Sequence, residues 1–246
     1  MLEISLRSWP AVKAVWFAET IAPGDLGGGI SVARLVFQQV KNRPPPTVTR
    51  AAQVSEFHTL LVDLTQEEEL LWQGVQKKTR GYIRGAAKRP HEIQRIAGQP
   101  DRSLIRFVES FRSARDLGST RAPVYARYFE NGLATALVVD GATIIVHIYI
   151  IDPTIHRIRL LWSARALDTE EDTSGLNKLL HWEDMIYAKR VLGLKTYDWG
   201  GIALSDGALE GIDEFKRKFG GVLVTEYNVT WTSRLFAPAA KLLGRG

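Results

Sequence analysis

Residues 133–139 and 143–150 are two runs dense in β-branched and aromatic residues, and Asp140-Gly141 stands between them. That dipeptide favours a two-residue turn whose twist matches the strands it joins, so the pair reads as a β-hairpin. Residues 124–129 have a similar composition and read as a strand before it; 156–162 read as a strand after it. A helix follows, opening at Thr173 or Ser174, carrying Leu179, Trp182 and Ile186 at helical spacing and ending at Gly193. A short strand at 195–199, a helix at 207–219 and a final strand or pair of strands at 222–231 complete the pattern. The order β-β-β-β-α-β-α-β predicts a mixed sheet with helices on its faces, and such sheets bind ligands where the strand order splits.

The first hundred residues are less regular. Strand-like runs at 30–40 and 57–64 flank Asn42-Arg43-Pro44-Pro45-Pro46, which reads as a loop. Residues 24–29 (GDLGGG) lack the spacing and the Lys of a phosphate-binding loop and read as a connection. Thr65, with Glu68 three residues on, is a candidate N-cap for one helix over 66–88. On a wheel Leu71, Val75, Tyr82 and Ala86 share one side, and Lys77, Arg80, Arg84 and Lys88 the other. Gly74, Gly81 and Gly85 lie beside the basic row. Each costs about 1 kcal/mol relative to Ala, which implies that a backbone or a ligand comes close there. The row itself is either a solvated face or a seat for a phosphate-bearing substrate. A second helix is expected over 103–117.

Composition excludes several classes. The 246 residues include no cysteine, so disulfides, thiolate metal sites and a Cys nucleophile are ruled out, and no metal is called for. No apolar run nears the roughly 20 residues of a membrane span. The first residues place Arg7 and Pro10 where a signal peptide would be unbroken and apolar, so a cytoplasmic protein is expected. The net charge of +5 comes from 32 basic and 27 acidic residues mixed along the chain, which favours phosphate-bearing partners without the basic clusters of a nucleic-acid coat. The tail from 233 carries Leu235, Phe236, Leu242 and Leu243 among basic residues; packing on the domain is the expectation over membrane contact.

Two segments stand out. One runs Trp182, Met185, Ala188-Lys189, Gly193 and Tyr197-Asp198-Trp199-Gly200-Gly201-Ile202; the other runs Gly211, Phe215-Lys216 and Phe219-Gly220-Gly221. Together they resemble the C-terminal half of the Fem-type acyltransferases of the GNAT superfamily, which attach amino acids to peptidoglycan precursors and have relatives that acylate amino sugars. The earlier stretch Leu71-Trp72, Lys78, Arg80, Ile83-Arg84, Ala86 and Lys88 is similar to the helix that precedes that half. The resemblance spans about residues 57–231. It implies an α+β GNAT fold, a mixed central sheet flanked by helices, with a reduced N-terminal half over 1–100 and a catalytic domain over 101–246.

The residues themselves carry a compatible reading. Gly200-Gly201 at a strand end permits close approach of a ligand. Asp198 caps that turn, or it orients or deprotonates an acceptor amine. Phe215 and Phe219 are four apart on a helix, as core residues are, and Phe215 and Tyr197 are the candidate substrate contacts. The resemblance places Lys216 beside the reacting carbonyl, where a cation would stabilise the developing oxyanion. It also places the pyrophosphate of coenzyme A at the helix start, Ser174-Gly175, a position that favours anions in any case. No His falls in a Ser/His/Asp pattern, so direct attack in a ternary complex is the simpler mechanism; His147 reads as a core histidine and His181 as a surface one. With no arm-like coiled coil for tRNA, acyl-CoA is the expected donor and a nucleotide-linked amino sugar the acceptor, its diphosphate meeting Lys77, Arg80 and Arg84. Aminoacyl-tRNA with a cell-wall precursor is the alternative, and a non-catalytic GNAT-fold binding protein is the other.

Overall fold

The computed structural model describes residues 1–8, 11–27, 32–98, 102–117, 122–167, 169, 173–203 and 210–233. Its strands are β1 (Leu2–Arg7), β2 (Ala11–Trp16), β3 (Val32–Val40), β4 (Gln53–Asp63), β5 (Glu92–Ala97), β6 (Gly132–Val139), β7 (Ala142–Asp152), β8 (Arg157–Arg165), β9 (Thr196–Gly201) and β10 (Val222–Thr232). Its α-helices are α1 (Pro46–Thr49), α2 (Glu68–Gly74), α3 (Lys77–Ala86), α4 (Arg102–Ala114), α5 (Ala122–Phe129), α6 (Thr173–Arg190) and α7 (Glu210–Arg217). Among the described residues no helix is long and apolar enough to cross a membrane. The chain forms two compact units, residues 1–59 with the described residues from Val224, and residues 60–223. The division expected from the sequence, 1–100 and 101–246, is drawn on the resemblance and not on compactness.

In the first unit β1 is antiparallel to β2, β2 parallel to β3, and β3 antiparallel to β10. Val15, Leu35, Phe37, Val40 and Val229 fill its core. The β3–β10 register slips between Tyr227 and Val229. Asn228 Oδ1 there accepts the backbone N–H of Gln39 at 3.0 Å.

In the second unit the strands lie in the order β4-β9-β8-β7-β6-β5. β5 to β8 form an antiparallel meander. Asp140 and Gly141 both have positive φ, 49° and 78°, as the hairpin turn requires. Alternation divides the two faces: Leu133, Leu137, Ile145 and Tyr149 pack with α3 and α6, while Ala134, Ala136, Val146 and Ile148 pack with α4 and α5. Helices on both faces of a mixed sheet are the expected α+β architecture. β8 and β9 run parallel and pair only from Arg157 to Arg159 against Thr196 to Asp198, after which the sheet splits.

Two expectations are corrected. Residues 124–129 are not a strand but lie in α5, because Tyr125, Tyr128 and Phe129 are buried at helical spacing and packing outweighs their β propensity. The 66–88 segment is two helices. Val75 and Gln76 are extended between them, since Val75 is wholly buried and Gln76 N–H donates to Lys218 O at 2.7 Å. Thr65 is not the cap; its N–H and hydroxyl both donate to Asp63 Oδ1, and Glu67 holds the N-cap position. The break resets the wheel, so Tyr82 is exposed and Thr79 is buried with Ile83 and Ala86. Gly81 and Gly85 face open space, with no neighbour that a Cβ would meet. A Cβ on Gly74 would meet no neighbour either, so the close approach inferred from these glycines is absent; the tight contact nearby constrains Gly220, whose Cβ would lie 3.1 Å from the Gly74 carbonyl oxygen. Gly28, Gly29 and the tail beyond Ser233 lie outside the described residues.

Candidate active site

β9 ends Tyr197-Asp198-Trp199-Gly200-Gly201 beside the split. Gly200 has φ +71°, and a Cβ there would lie 2.9 Å from Leu160 O, so glycine is required both for conformation and for contact with β8. Asp198 is fully buried. Its Oδ2 accepts from Arg157 Nε (3.0 Å) and Nη2 (2.6 Å), and its Oδ1 accepts from Gly200 N–H at 2.8 Å. A carboxylate held on both oxygens by a buried guanidinium and a turn amide is built to position, not to deprotonate.

Lys216, on α7, donates to Gly201 O. Burial is the main cause that lowers its ammonium from 10.5 to about 8, with Arg159 pushing the same way and Asp213 and Asp198 opposing. Phe215 brings the next group in. Its ring centroid lies 5.6 Å from Lys178 Nζ, which also sits 4.9 Å from the ring of Tyr82 on α3. Lys178 Nζ donates to Ser174 Oγ at 2.6 Å and to Ser174 O at 3.1 Å, so the start of α6 carries a second ammonium. The dipole of a helix start favours an anion, and the Lys178 ammonium beside it adds to that preference. Ser174 and the buried Gly175 could therefore hold the pyrophosphate of coenzyme A, with Lys178 beside them.

The basic row on α3 does not assemble as expected. Arg80 Nη1 donates to the carbonyls of Trp72, Gln73 and Val75, closing the end of α2. Arg84 lies 5.3 Å over the Trp72 ring, and Lys77 is exposed at the first turn. Tyr82, between them in sequence, is the α3 residue beside Lys178. Tyr197 is wholly buried, its hydroxyl 3.0 Å from Tyr149 OH and 3.1 Å from His181 Nδ1. It supports the site from beneath and is not a substrate contact. His181 is not a surface residue; it is 1% exposed and stacks on His147 at 3.9 Å. His147 is the satisfied core histidine expected, between Asp184 Oδ2 and Asn177 Oδ1 at 2.9 Å each.

The sequence reading missed Lys178, Arg157, Tyr82 and His181. The only signal for Lys178 and His181 was spacing: Ser174, Lys178 and His181 stand four and three residues apart, one face of a helix.

No protein-family model and no curated protein matches the chain. Solved structures do. FemX has TM-score 0.60 and 14% identity, over 87% of this chain and 75% of its own. The L-PGS of Bacillus licheniformis has TM-score 0.57 and 14% identity, over 86% and 72%. The C-terminal domain (DUF2156) of a protein described as a lysylphosphatidylglycerol synthetase, from Agrobacterium fabrum, has TM-score 0.55 and 14% identity, over 95% and 81%. The chain therefore shares its α+β fold, a mixed sheet flanked by helices, with FemX and these two structures.

Proposed function

We propose that the protein is an N-acyltransferase that moves an acyl group from an activated ester to an amine by direct attack in a ternary complex. The observation that carries this reading is Lys216, a partly buried ammonium of lowered pKa held at the end of β9 where β8 and β9 part. A cation there would meet the oxyanion as the carbonyl turns tetrahedral. Asp198 fixes Arg157 and the Gly200 turn, Phe215 and Lys178 line the approach, and Ser174-Gly175 with Lys178 take a phosphate of the donor. On the sequence reading the donor is acyl-CoA and the acceptor a nucleotide-linked amino sugar. Arg80 is committed to α2 and Arg84 lies over Trp72, so within the α3 row the diphosphate of such an acceptor would be left to Lys77.

A second reading, aminoacyl-tRNA as donor, is favoured by the fold likeness to FemX and to two structures whose descriptions name L-PGS or a lysylphosphatidylglycerol synthetase. Thermal-shift titration with coenzyme A, acetyl-CoA and a charged tRNA pool separates the two. Ligand at 100 times its Kd stabilises by about 2.7 kcal/mol, a rise of several degrees for this length. Mass spectrometry of amino-sugar nucleotides and lipid or peptide amines incubated with the responding donor then identifies the acceptor. Response to neither donor, with Lys216→Met unchanged in every assay, would leave a non-catalytic binding protein.

A further inference from the structure

Beneath Lys178 and Lys216 the core of the second unit holds a polar chain that the transfer step as described does not use. α6 places Asn177, His181 and Asp184 on its inner face; β6 and β7 oppose them with Thr135, His147 and Tyr149, and β9 with Tyr197. Its proton directions follow from counting donors. The Asp184 carboxylate only accepts, and its Oδ2 takes the Thr135 hydroxyl (2.9 Å), His147 Nδ1 (2.9 Å) and the Tyr149 hydroxyl (2.7 Å). Tyr149 has one proton and has given it to Asp184, so the 3.0 Å bond to Tyr197 carries the proton of Tyr197. Tyr197 has then given its own, so the 3.1 Å bond to His181 is donated by Nδ1. His181 is thereby held with its proton on Nδ1 and a lone pair on Nε2, an atom with no hydrogen-bond partner among the described residues.

We propose that His181 is the base of the site, taking at Nε2 the proton that the attacking amine sheds, and that Tyr197, Tyr149 and Asp184 are positioning residues that keep its ring in the accepting tautomer. This rests on the transferase reading above. The amine lone pair forms the C–N bond and the carbonyl pair moves onto oxygen beside Lys216. The C–S or C–O bond of the donor then breaks with its electrons on the leaving atom. One nitrogen proton passes to His181 Nε2 and from there to the leaving group or water. His181 is 1% exposed, so the proton would reach Nε2 directly or through a single water and not from bulk solvent. It belongs to the site by contact: its centroid is 5.4 Å from Phe215 and 4.7 Å from Trp199. Burial holds it well below the ordinary histidine value, and His147 on β7, Lys216 on α7 and Lys178 on its own helix add to the effect. Burial holds the Tyr149 and Tyr197 protons in place over the working range.

The test has two arms. Nitrogen-15 NMR of the histidines in the whole protein is expected to show His181 neutral with Nδ1 protonated at pH 7; a ring protonated at Nε2, or charged, overturns the proposal. In the transfer assay His181→Gln is expected to lower kcat by about 10²–10⁴-fold with KM for both substrates near wild type, and to abolish the acid limb of the pH–rate profile. Tyr197→Phe should give a smaller loss and move that limb, which keeps the arm decisive if His181→Gln does not fold. A folded His181→Gln enzyme with wild-type kcat and pH profile sinks the proposal and leaves the transferase reading standing. A wild-type protein inactive with both donors sinks the transferase reading, and the base falls with it.

Discussion

At the residue scale the site is set by a charge that the fold keeps at a cost. An ammonium with its pKa lowered to about 8 is less comfortable in the folded chain than in the unfolded one. Lys216→Met is therefore expected to raise the melting temperature while lowering kcat by about 10²–10³-fold, the magnitude of losing one oxyanion donor. The stability gain should be on the order of 1–2 kcal/mol, read by calorimetry beside the transfer assay. The oxyanion is met only by the charged form, so the rate of the wild type should fall above about pH 8. Lys216→Arg should extend the plateau to higher pH, and a profile flat to pH 10 in the wild type would remove the role assigned to Lys216. Gly200→Ala, which places a Cβ 2.9 Å from Leu160 O at φ +71°, is expected to cost about 1–3 kcal/mol in urea unfolding.

At the element scale the interrupted helix between α2 and α3 shows how tertiary contacts overrule a periodic pattern. The sequence over 66–88 has helical spacing throughout, and a wheel drawn across it put Tyr82 inside and four arginine or lysine residues on one outer row. The break at Val75 and Gln76 comes from a hydrogen bond to Lys218, more than a hundred residues away, and from burial of Val75, neither of which a local pattern contains. Arg80 then closes the carbonyl end of α2, and Arg80→Met should destabilise by about 1–3 kcal/mol. Gly81 and Gly85 meet no neighbour. Their replacement by Ala is expected to stabilise by roughly 0.5–1 kcal/mol each with unchanged transfer activity. Lost activity in the double variant would show that a ligand does approach that face.

At the scale of the whole molecule, stability is expected to depend on pH through the buried ring of His181. In the fold it stays neutral, held well below 6.5, and in the unfolded chain it charges at its ordinary value. The unfolded state then binds more protons once the pH drops below 6.5, so stability falls from there until the ring's own lowered pKa is reached. Asp63, lowered by its bonds from Thr65, adds stability that is present above its ordinary 3.8 and lost further down the acid side. Urea midpoints measured from pH 8 to 4 should decline from about pH 6.5, and His181→Gln should flatten the upper part of that decline.

What the amino-acid order alone determined was local and periodic. The Asp140-Gly141 hairpin, the α6 span from Thr173 toward Gly193, β9 with its paired glycines, and helices about a mixed sheet all follow from turn chemistry, spacing and caps, which act over a few residues. Lys216 and Gly200 were legible because a motif of neighbouring residues carries them. The tertiary structure decided the rest: α5 in place of a strand, the break after Gly74, the committed roles of Arg80 and Asp198, and the chain from His181 to Asp184. Each of these is set by a partner distant in sequence, and which polar side chains meet in a dry core is fixed by how strands and helices stack, not by the order in which they are written.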